Sequence, residues 1–354
     1  MEEKELSIKS IYLSRAVEPL LSWYDRNARK LPWREAHDPY CIWVSEIMLQ
    51  QTRVETVKPY YERFIKRLPN INTLAQISWE ELSKLWEGLG YYSRVRNMQK
   101  AAQMICSDFA GVFPNDYANI LKLPGIGSYT AGAIASIAFD LPFPAVDGNV
   151  LRVIARLTVD DRDILLPQVR KETEEILKSI YPKKRCGDFT QSLMELGALV
   201  CVPGAVPKCE ICPLAFMCGA NKSNKQAEYP VRRQKAERKK QSITVILLRQ
   251  DSRLALRKRE KGLLKGLWEP INFEGDLSVD EVEKMLRDMG FVIKNNERLP
   301  DQKHIFTHIE WEMSVYAAEC SAKAGNMSFI WADKEELDRK YTLPTAFSKL
   351  LSGK

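Results

Sequence analysis

The chain has 354 residues, 45% hydrophobic and 28% charged, a balance that fits a soluble protein with material for two domains. No apolar run reaches the length of a membrane span, and the opening MEEKELSIKS is acidic and polar, unlike a secretory leader. The net charge of +7 suggests a polyanionic partner without naming one.

From about Ile8 to Ala220 the pattern is mostly helical, with amphipathic segments broken by proline and glycine. In WVSEIMLQQT (43–52), helical spacing puts Glu46 on one face with Ile42, Trp43 and Leu49, and Gln50 one turn on. A carboxylate in that company is either solvated at a seam or held there for chemistry. In PNDYANILKLPGIGSYTAGAIASIAF, Asn115 or Asp116 can cap a short helix, LPGIG ends it, and a helix rich in small residues follows. Gly125 and Gly127 would let backbone N–H groups approach an anion such as a DNA phosphate, or would simply turn the chain. In FPAVDGNVLRVIARL, Pro142 and Pro144 forbid helix, after which Val150, Val153, Ile154 and Leu157 mark an apolar face. Asp147 stands at the N-cap, where an ordinary capping carboxylate keeps a low pKa and stays ionised.

Four of the eight cysteines, Cys41, Cys106, Cys186 and Cys320, are scattered, whereas Cys201, Cys209, Cys212 and Cys218 crowd together. A reducing cytoplasm with one thiolate-bound metal centre explains this better than a disulfide framework. Seven, two and five residues separate the crowded four. Such a loop suits a tetrahedral zinc or an iron–sulfur cluster, and the absence of a second CxxC pair favours iron–sulfur.

Residues 222–241, KSNKQAEYPVRRQKAERKKQ, carry eight basic and two acidic side chains and little to bury, so they read as an interdomain linker. After Ser242, ITVILLRQDSRLALRKR gives two strands about a polar turn, and WEMSVYAAE alternates again. SVDEVEKMLRDMG reads as a helix with a Ser278–Glu281 capping box and a terminal Gly290. The predicted architecture is an all-helical domain (1–221) containing the cysteine loop (201–218), the basic linker, and a mixed α/β domain (242–354).

WVSEIMLQQT, GLGYYSRVRN, LPGIGSYTAGAI, VDGNVLR and the four-cysteine loop occur in this order, and together they resemble the adenine DNA glycosylases, the MutY family. That family belongs to the helix–hairpin–helix superfamily that includes endonuclease III. The resemblance spans essentially the whole chain, the second domain being similar to the family's MutT-like (Nudix-like) domain. It implies a base-excision repair enzyme that removes adenine mispaired with 8-oxoguanine or guanine in duplex DNA. It also implies one [4Fe-4S] cluster on Cys201, Cys209, Cys212 and Cys218 and a monomeric state, with protein partners unspecified; the absence of a recognisable targeting extension fits a bacterial cytoplasmic setting.

By the same resemblance, Glu46 is the general acid toward a flipped-out adenine, its pKa raised by an apolar pocket, and Asp147 stabilises the sugar cation, with Asn149 in support. Tyr129 stands where strand-cleaving relatives carry a Schiff-base lysine, which implies base removal without efficient strand scission. Leu49, Gln51, Thr52 and Tyr91 are implied to lie beside the orphaned partner base. Trp33, Arg34 and Gln191 are pocket candidates. Phe306, Thr307 and His308 correspond to a Phe-Ser-His lesion-recognition motif, Thr307 adding a methyl group that bears on selectivity.

The chain departs from the family in two further respects. Seven residues rather than six separate the first two cysteines. Where the second domain's relatives have the Nudix helix, EKMLRDMG keeps only Asp288 at a matching acidic position, too little oxygen for magnesium and triphosphate hydrolysis. The rival readings are a related glycosylase acting on another mismatch or a damaged pyrimidine, and a non-catalytic lesion or redox-responsive DNA binder.

Overall fold

The computed structural model describes residues 3–35, 37–204, 206–233, 237–323 and 329–351. It forms two compact units, one of residues 1–76 and 96–234, the other of residues 77–95 and 235–354.

The first unit is helical. Its helices are α1 (Glu3–Ser14), α2 (Val17–Asn27), α3 (Pro39–Leu49), α4 (Val54–Arg67) and α5 (Ile71–Gln76). After the excursion into the second unit, through α6 (Trp79–Leu85), the chain returns along α7 (Ser93–Asp108). It continues with α8 (Tyr117–Lys122), α9 (Ser128–Phe139), α10 (Gly148–Thr158), α11 (Pro167–Ile180), α12 (Cys186–Leu199) and the short α13 (Gly219–Lys222). Asp38 starts α3 by accepting a hydrogen bond from the Tyr40 N–H at 2.8 Å, with Pro39 at the first helical position. Every residue of α3 from Tyr40 to Met48 is buried, so Glu46 sits in a helix enclosed on all sides rather than at a seam. Asp116, of the two expected caps, holds α8.

Two glycines set the close approaches that position the later helices. A Cβ on Gly132 of α9 would lie 2.1 Å from the Pro144 carbonyl oxygen, and one on Gly197 of α12 would lie 2.7 Å from the Asn149 Cβ. Only glycine lets α9 and α12 come this near the 144–149 turn. Leu20, Leu21 and Trp23 of α2 then pack with Val150, Val153 and Leu157 of α10, Phe189 and Leu193 of α12, and Leu214 and Met217 of the cysteine loop. The basic segment runs along this unit as far as residue 233. The Tyr229 carbonyl accepts from Arg156 Nε at 2.9 Å, and the Ile164 N–H donates to the Val231 carbonyl at 3.2 Å. Residues 234–236 of the expected linker lie outside the described residues.

The second unit is a seven-stranded mixed sheet. Strands β1 (Lys239–Gln250) and β2 (Arg253–Lys258) form the expected hairpin, with Asp251 and Ser252 both at positive φ in its turn. Next come β3 (Trp268–Glu269) and β4 (Ile271–Glu274), then α14 (Val279–Asp288), β5 (Phe291–Ile305), β6 (Ile309–Lys323) and β7 (Ile330–Ala332), and finally α15 (Lys334–Arg339) and α16 (Thr345–Leu351). The order is β3-β2-β1-β6-β5, with β6 parallel to β1. Alternate residues of β1 feed two cores. Ile243, Val245 and Leu247 pack with Phe347 of α16, while Ile246 and Leu248 pack with Val282 and Leu286 of α14. Burial of both faces explains the unbroken apolar run in ITVILL.

The Ser278–Glu281 capping box opens α14 as expected, and Gly290 follows its end at φ +85°. The α6 segment joins this unit through Ser83 Oγ, 2.9 Å from Thr342 Oγ1, and Trp79 Nε1, which donates to the Gly266 carbonyl at 3.0 Å.

Candidate active site

Glu46 is 7% exposed and accepts a 2.7 Å hydrogen bond at Oε2 from the Tyr129 hydroxyl. Burial pushes its carboxyl up to about 7; the nearby Asp147 adds to the rise, against the Tyr129 hydrogen bond and the Arg34 charge. The phenol of Tyr129 is itself pushed well above its ordinary range, first by burial and then by the two carboxylates. Tyr129 sits in the first turn of α9 and Glu46 in α3, helices that pack against each other.

Asp147 caps α10 as the sequence predicts. Its Oδ1 accepts from the N–H groups of Asn149 at 2.9 Å and Val150 at 2.8 Å, and its Oδ2 from Asn149 Nδ2 at 2.7 Å. The expectation of a lowered pKa is not met. Desolvation outweighs those three donors and the Arg152 charge, and the carboxyl is raised above its ordinary value. Glu46, Tyr129, Asp147 and Asn149 thus meet at one place, with Arg34 acting on Glu46 through space.

Several residues around this place are not among those the sequence singled out. Arg152 and Arg156, four apart on α10, are buried rather than forming a polar face. Arg152 donates to Asn149 Oδ1 at 2.8 Å and, through Nε, to the Cys201 carbonyl at 2.8 Å. It therefore ties the Asp147 turn to the start of the cysteine loop. Arg170 of α11 bonds the Val146 carbonyl just before Asp147. Glu195 of α12, 1% exposed, holds Arg29 at 2.7 Å and Arg34 at 3.0 Å. The readable trace of both clusters was a charged residue placed inside an apolar helical repeat.

Among the pocket candidates, Trp33 is buried edge-on to Tyr61, and Gln191 lies half-buried one turn before Glu195. Leu49 and Thr52 are half-buried at the end of α3, and Gln51 between them is exposed with φ +57°. Left-handed backbone at a non-glycine residue marks a sharp, strained reversal. Gly125 has φ +79° and Gly127 caps α9 by backbone alone; both are exposed.

In the sheet unit, Tyr91 is 46% exposed, also left-handed at φ +48°, and its hydroxyl lies 3.0 Å from Thr307 Oγ1. Phe306, Thr307 and His308 form the tip between β5 and β6, closed by the Phe306 N–H donating to the Ile309 carbonyl at 2.8 Å. Phe306 packs edge-on to Trp311, whereas Thr307 and His308 are exposed.

Cys201, Cys209, Cys212 and Cys218 are free thiols lining one small cavity with Arg156, Lys208, Asn221 and Gln226. Arg156 reaches Cys201 Sγ at 3.3 Å and Gln226 reaches Cys209 Sγ at 3.8 Å. Burial, reinforced by the neighbouring cysteines, pushes the Cys212 thiol up to about 12. Among the described residues no three histidine, cysteine or acidic side chains converge on a point where one ion would be held. The Nudix-position helix likewise gathers no carboxylate cluster, and Arg287 there pairs with Glu283. Ala205, in the longer first cysteine spacing, lies outside the described residues. No helix among them is long and apolar enough to cross a membrane.

Residues 44–183 match the HhH-GPD superfamily of base excision DNA repair proteins, and residues 243–353 match the NUDIX domain. The chain is 34% identical over 344 residues to the adenine DNA glycosylase of Buchnera aphidicola subsp. Baizongia pistaciae, covering 95% of each. Among solved structures it is similar to a thermostable thymine-DNA glycosylase, with TM-score 0.55 and 28% identity over 60% of this chain and 97% of that one. It is also similar to endonuclease III trapped as a covalent intermediate with DNA, with TM-score 0.52 and 25% identity over 61% of this chain and 98% of that one.

Proposed function

The chain belongs to the adenine DNA glycosylases, base-excision enzymes of the helix–hairpin–helix superfamily, and from that premise we propose how its residues release the base. The observation that carries the proposal is the buried Glu46 carboxyl, held by Tyr129 at 2.7 Å and pushed up to about 7. A carboxyl of that kind holds a proton near neutrality and can deliver it.

Adenine is a poor leaving group until an imidazole-ring nitrogen is protonated. Glu46 donates that proton, the bond from the sugar C1′ to the base breaks, and its electron pair leaves with adenine. The positive charge left on the sugar faces Asp147, which stabilises it as an anion or closes on C1′ as a transient ester. Water then attacks C1′, any ester bond to Asp147 breaking with its electron pair returned to that carboxylate, and gives its proton to the Glu46 carboxylate, restoring the acid. Asn149 holds the second Asp147 oxygen in place. Position 129 offers a phenol where imine chemistry needs an amine, so the product is an abasic site in an intact strand.

The substrate reading is adenine opposite 8-oxoguanine or guanine in duplex DNA, handled by a monomer. The left-handed turns at Gln51 and Tyr91, with Leu49 and Thr52 alongside Gln51, are assigned to the gap left by the flipped base, and Trp33, Arg34 and Gln191 to the adenine pocket. Gly125 and Gly127 are assigned to a DNA phosphate. The Phe306–His308 tip, with Tyr91 beside Thr307, is assigned to the opposing lesion. Four soft sulfurs spread around a cavity suit a [4Fe-4S] cluster on Cys201, Cys209, Cys212 and Cys218. Bound there, it would cross-link the loop and can carry an electron; no step of base release passes through it.

The test is single-turnover base release from four labelled duplexes: adenine opposite 8-oxoguanine, adenine opposite guanine, thymine glycol, and thymine opposite guanine. Each is resolved with and without alkali. Alkali-dependent cleavage at adenine alone is the expected result. Cleavage at a pyrimidine, or scission without alkali, would place the chain in another branch of the superfamily.

A further inference from the structure

The basic segment 222–241 is used by none of the steps above. Charged linkers are ordinarily solvated, and their side chains sweep freely. This one is tied down where it passes the site. Arg156, 3% exposed, donates through Nε to the carbonyls of Gln226 at 3.1 Å and Tyr229 at 2.9 Å. The Val231 carbonyl accepts from the Ile164 N–H at 3.2 Å, and the Arg233 N–H donates to the buried Asp163 carboxylate at 3.4 Å. Arg232 is therefore held on both sides by backbone hydrogen bonds, which fix the point from which its side chain starts.

That side chain reaches the turn that carries Asp147. A Cβ on Gly148, the next residue, would lie 3.8 Å from Arg232 Nη2 and would meet nothing nearer. Gly148 and Arg232 are both exposed, so the guanidinium stands on the open side of the turn. Among the described residues no carboxylate pairs with it. Asp147 is already engaged by the Asn149 and Val150 donors. Two further arginines border the same turn. Arg170 bonds the Val146 carbonyl, and Arg152 lies near enough to Arg232 for the two positive charges to oppose each other. Three cations around one occupied carboxylate form a set that an incoming anion completes.

We infer that Arg232 binds the backbone of the substrate, its guanidinium taking a phosphate that flanks the nucleotide whose sugar faces Asp147. The inference rests on the reading of Asp147 as the residue that faces C1′. The C3′ and C5′ sides of that same sugar carry the two flanking phosphates, so a turn that holds C1′ has a phosphate close by. The planar guanidinium matches phosphate oxygens two at a time. Such a contact reads no base. It holds the extruded sugar against Asp147, a task that needs placement rather than recognition. Because the backbone at 231 and 233 is already anchored, little ordering remains to be done when the DNA arrives.

The experiment is equilibrium binding of the full-length, cluster-loaded protein to a duplex holding adenine opposite 8-oxoguanine. A 2′-fluorine on the adenine sugar opposes the sugar cation and keeps the base attached. The phosphate on each side of that nucleotide is replaced in turn by a neutral methylphosphonate. Wild-type protein should lose about tenfold in affinity at one of the two positions. Arg232→Ala should bind the unmodified duplex about tenfold more weakly and lose little more at that position, because the partner is already gone. Arg233→Ala removes the same charge one residue on and should keep the methylphosphonate loss. Both arginines are exposed, so neither change opens a cavity. Full losses at both positions in Arg232→Ala would overturn the inference, as would a wild-type protein indifferent to both replacements. Suppression of the loss by Arg233→Ala to the same degree would also overturn it, since that is the mark of a diffuse field and not of a contact. Adenine release from the unfluorinated duplex is followed alongside. Its absence would overturn the catalytic reading of the Asp147 turn, while coupling between Arg232 and one flanking phosphate would still support the contact.

Discussion

Replacing Glu46 by Gln should abolish base release and at the same time make the protein more stable, by an amount that grows as pH rises from about 4.5 and is full above about 7. The carboxyl rises from 4.5 to about 7 on folding. A raised carboxyl contributes nothing unfavourable below the unfolded value, where it is protonated in both states. As pH climbs from 4.5 to about 7, the unfolded chain ionises while the folded one keeps its proton, and stability falls. The loss is complete above the folded value and amounts to about 3 kcal/mol, at about 1.4 kcal/mol per pH unit. Gln cannot ionise and still offers an oxygen to the Tyr129 hydroxyl, so it escapes that loss. Thermal unfolding of both proteins at pH 5 and pH 8.5 measures the difference. The variant should gain several degrees at the higher pH, given roughly 2–4 °C per kcal/mol for a domain of 150–250 residues, and only about a quarter of that at the lower, where about 1 kcal/mol of the loss has set in. An advantage for Gln that is equal at the two pH values would refute the argument, since it would come from packing rather than from the proton.

Tyr129→Phe removes the hydrogen bond that favours the ionised form of Glu46, so the alkaline fall in the rate of adenine release should move to higher pH; a move to lower pH would count against the donor role of the phenol. Gly132→Ala places a methyl carbon 2.1 Å from the Pro144 carbonyl oxygen, and the displaced 144–149 turn should cost about 1–3 kcal/mol of stability together with most of the activity. At an open helical site the same change would be stabilising by about 1 kcal/mol, so denaturant melts separate the cases by sign. Cys209→Ser should lower the iron bound per chain and the visible iron–thiolate absorption, whereas Cys106→Ser, changed outside the cavity, should leave both intact; iron and sulfide analysis of the two purified proteins is the check.

The helical unit was legible wherever a local rule fixed the chain. Asp116 and Asp147 cap the helices they were expected to cap, as the Ser278–Glu281 box does in the sheet unit. What sequence spacing hid was the extent of burial. Period-3.6 reading gives α3 and α10 one apolar face each, but both are enclosed on every side, and a face cannot be counted when neighbours surround the helix. Arg152, Arg156 and Glu195 were missed for the same reason, since a charged residue in a helix reads as solvent-facing until its partner, distant in sequence, is known. The sheet unit was legible at the β1–β2 hairpin, a local pairing, and much less so at β5. That strand is polar and interrupted by Pro300, and it pairs along one side only, with β6, through irregularities of which one spans Leu299 to Gln302. Nothing in residues 77–95 announces their place in the sheet unit, because Ser83–Thr342 and Trp79–Gly266 are side-chain contacts across long separations.

The Asp147 correction shows why two carboxyls in one site need not behave alike. Both are pushed upward by burial. Asp147 meets that push with three hydrogen-bond donors and the Arg152 charge, all of which favour the anion. Glu46 has the Tyr129 hydroxyl and the Arg34 charge on its side, and the negative charge of Asp147 against it. An ionised Asp147 therefore helps Glu46 stay protonated, while burial is what opposes ionisation of Asp147 itself. These balances favour a proton on Glu46 and a negative charge on Asp147, the division that the proposed protonation of the purine and stabilisation of the sugar cation call for. Asn149 matters to this division more than its own chemistry suggests: it supplies two of the three donors, and its side chain is itself held by Arg152. Asn149→Ala should therefore bring the acid-side fall of the rate profile to higher pH, by weakening the anion at Asp147, while the cap bonds from the backbone keep α10 in place. A profile that loses height but keeps both of its limbs would show that Asn149 serves only to order the turn.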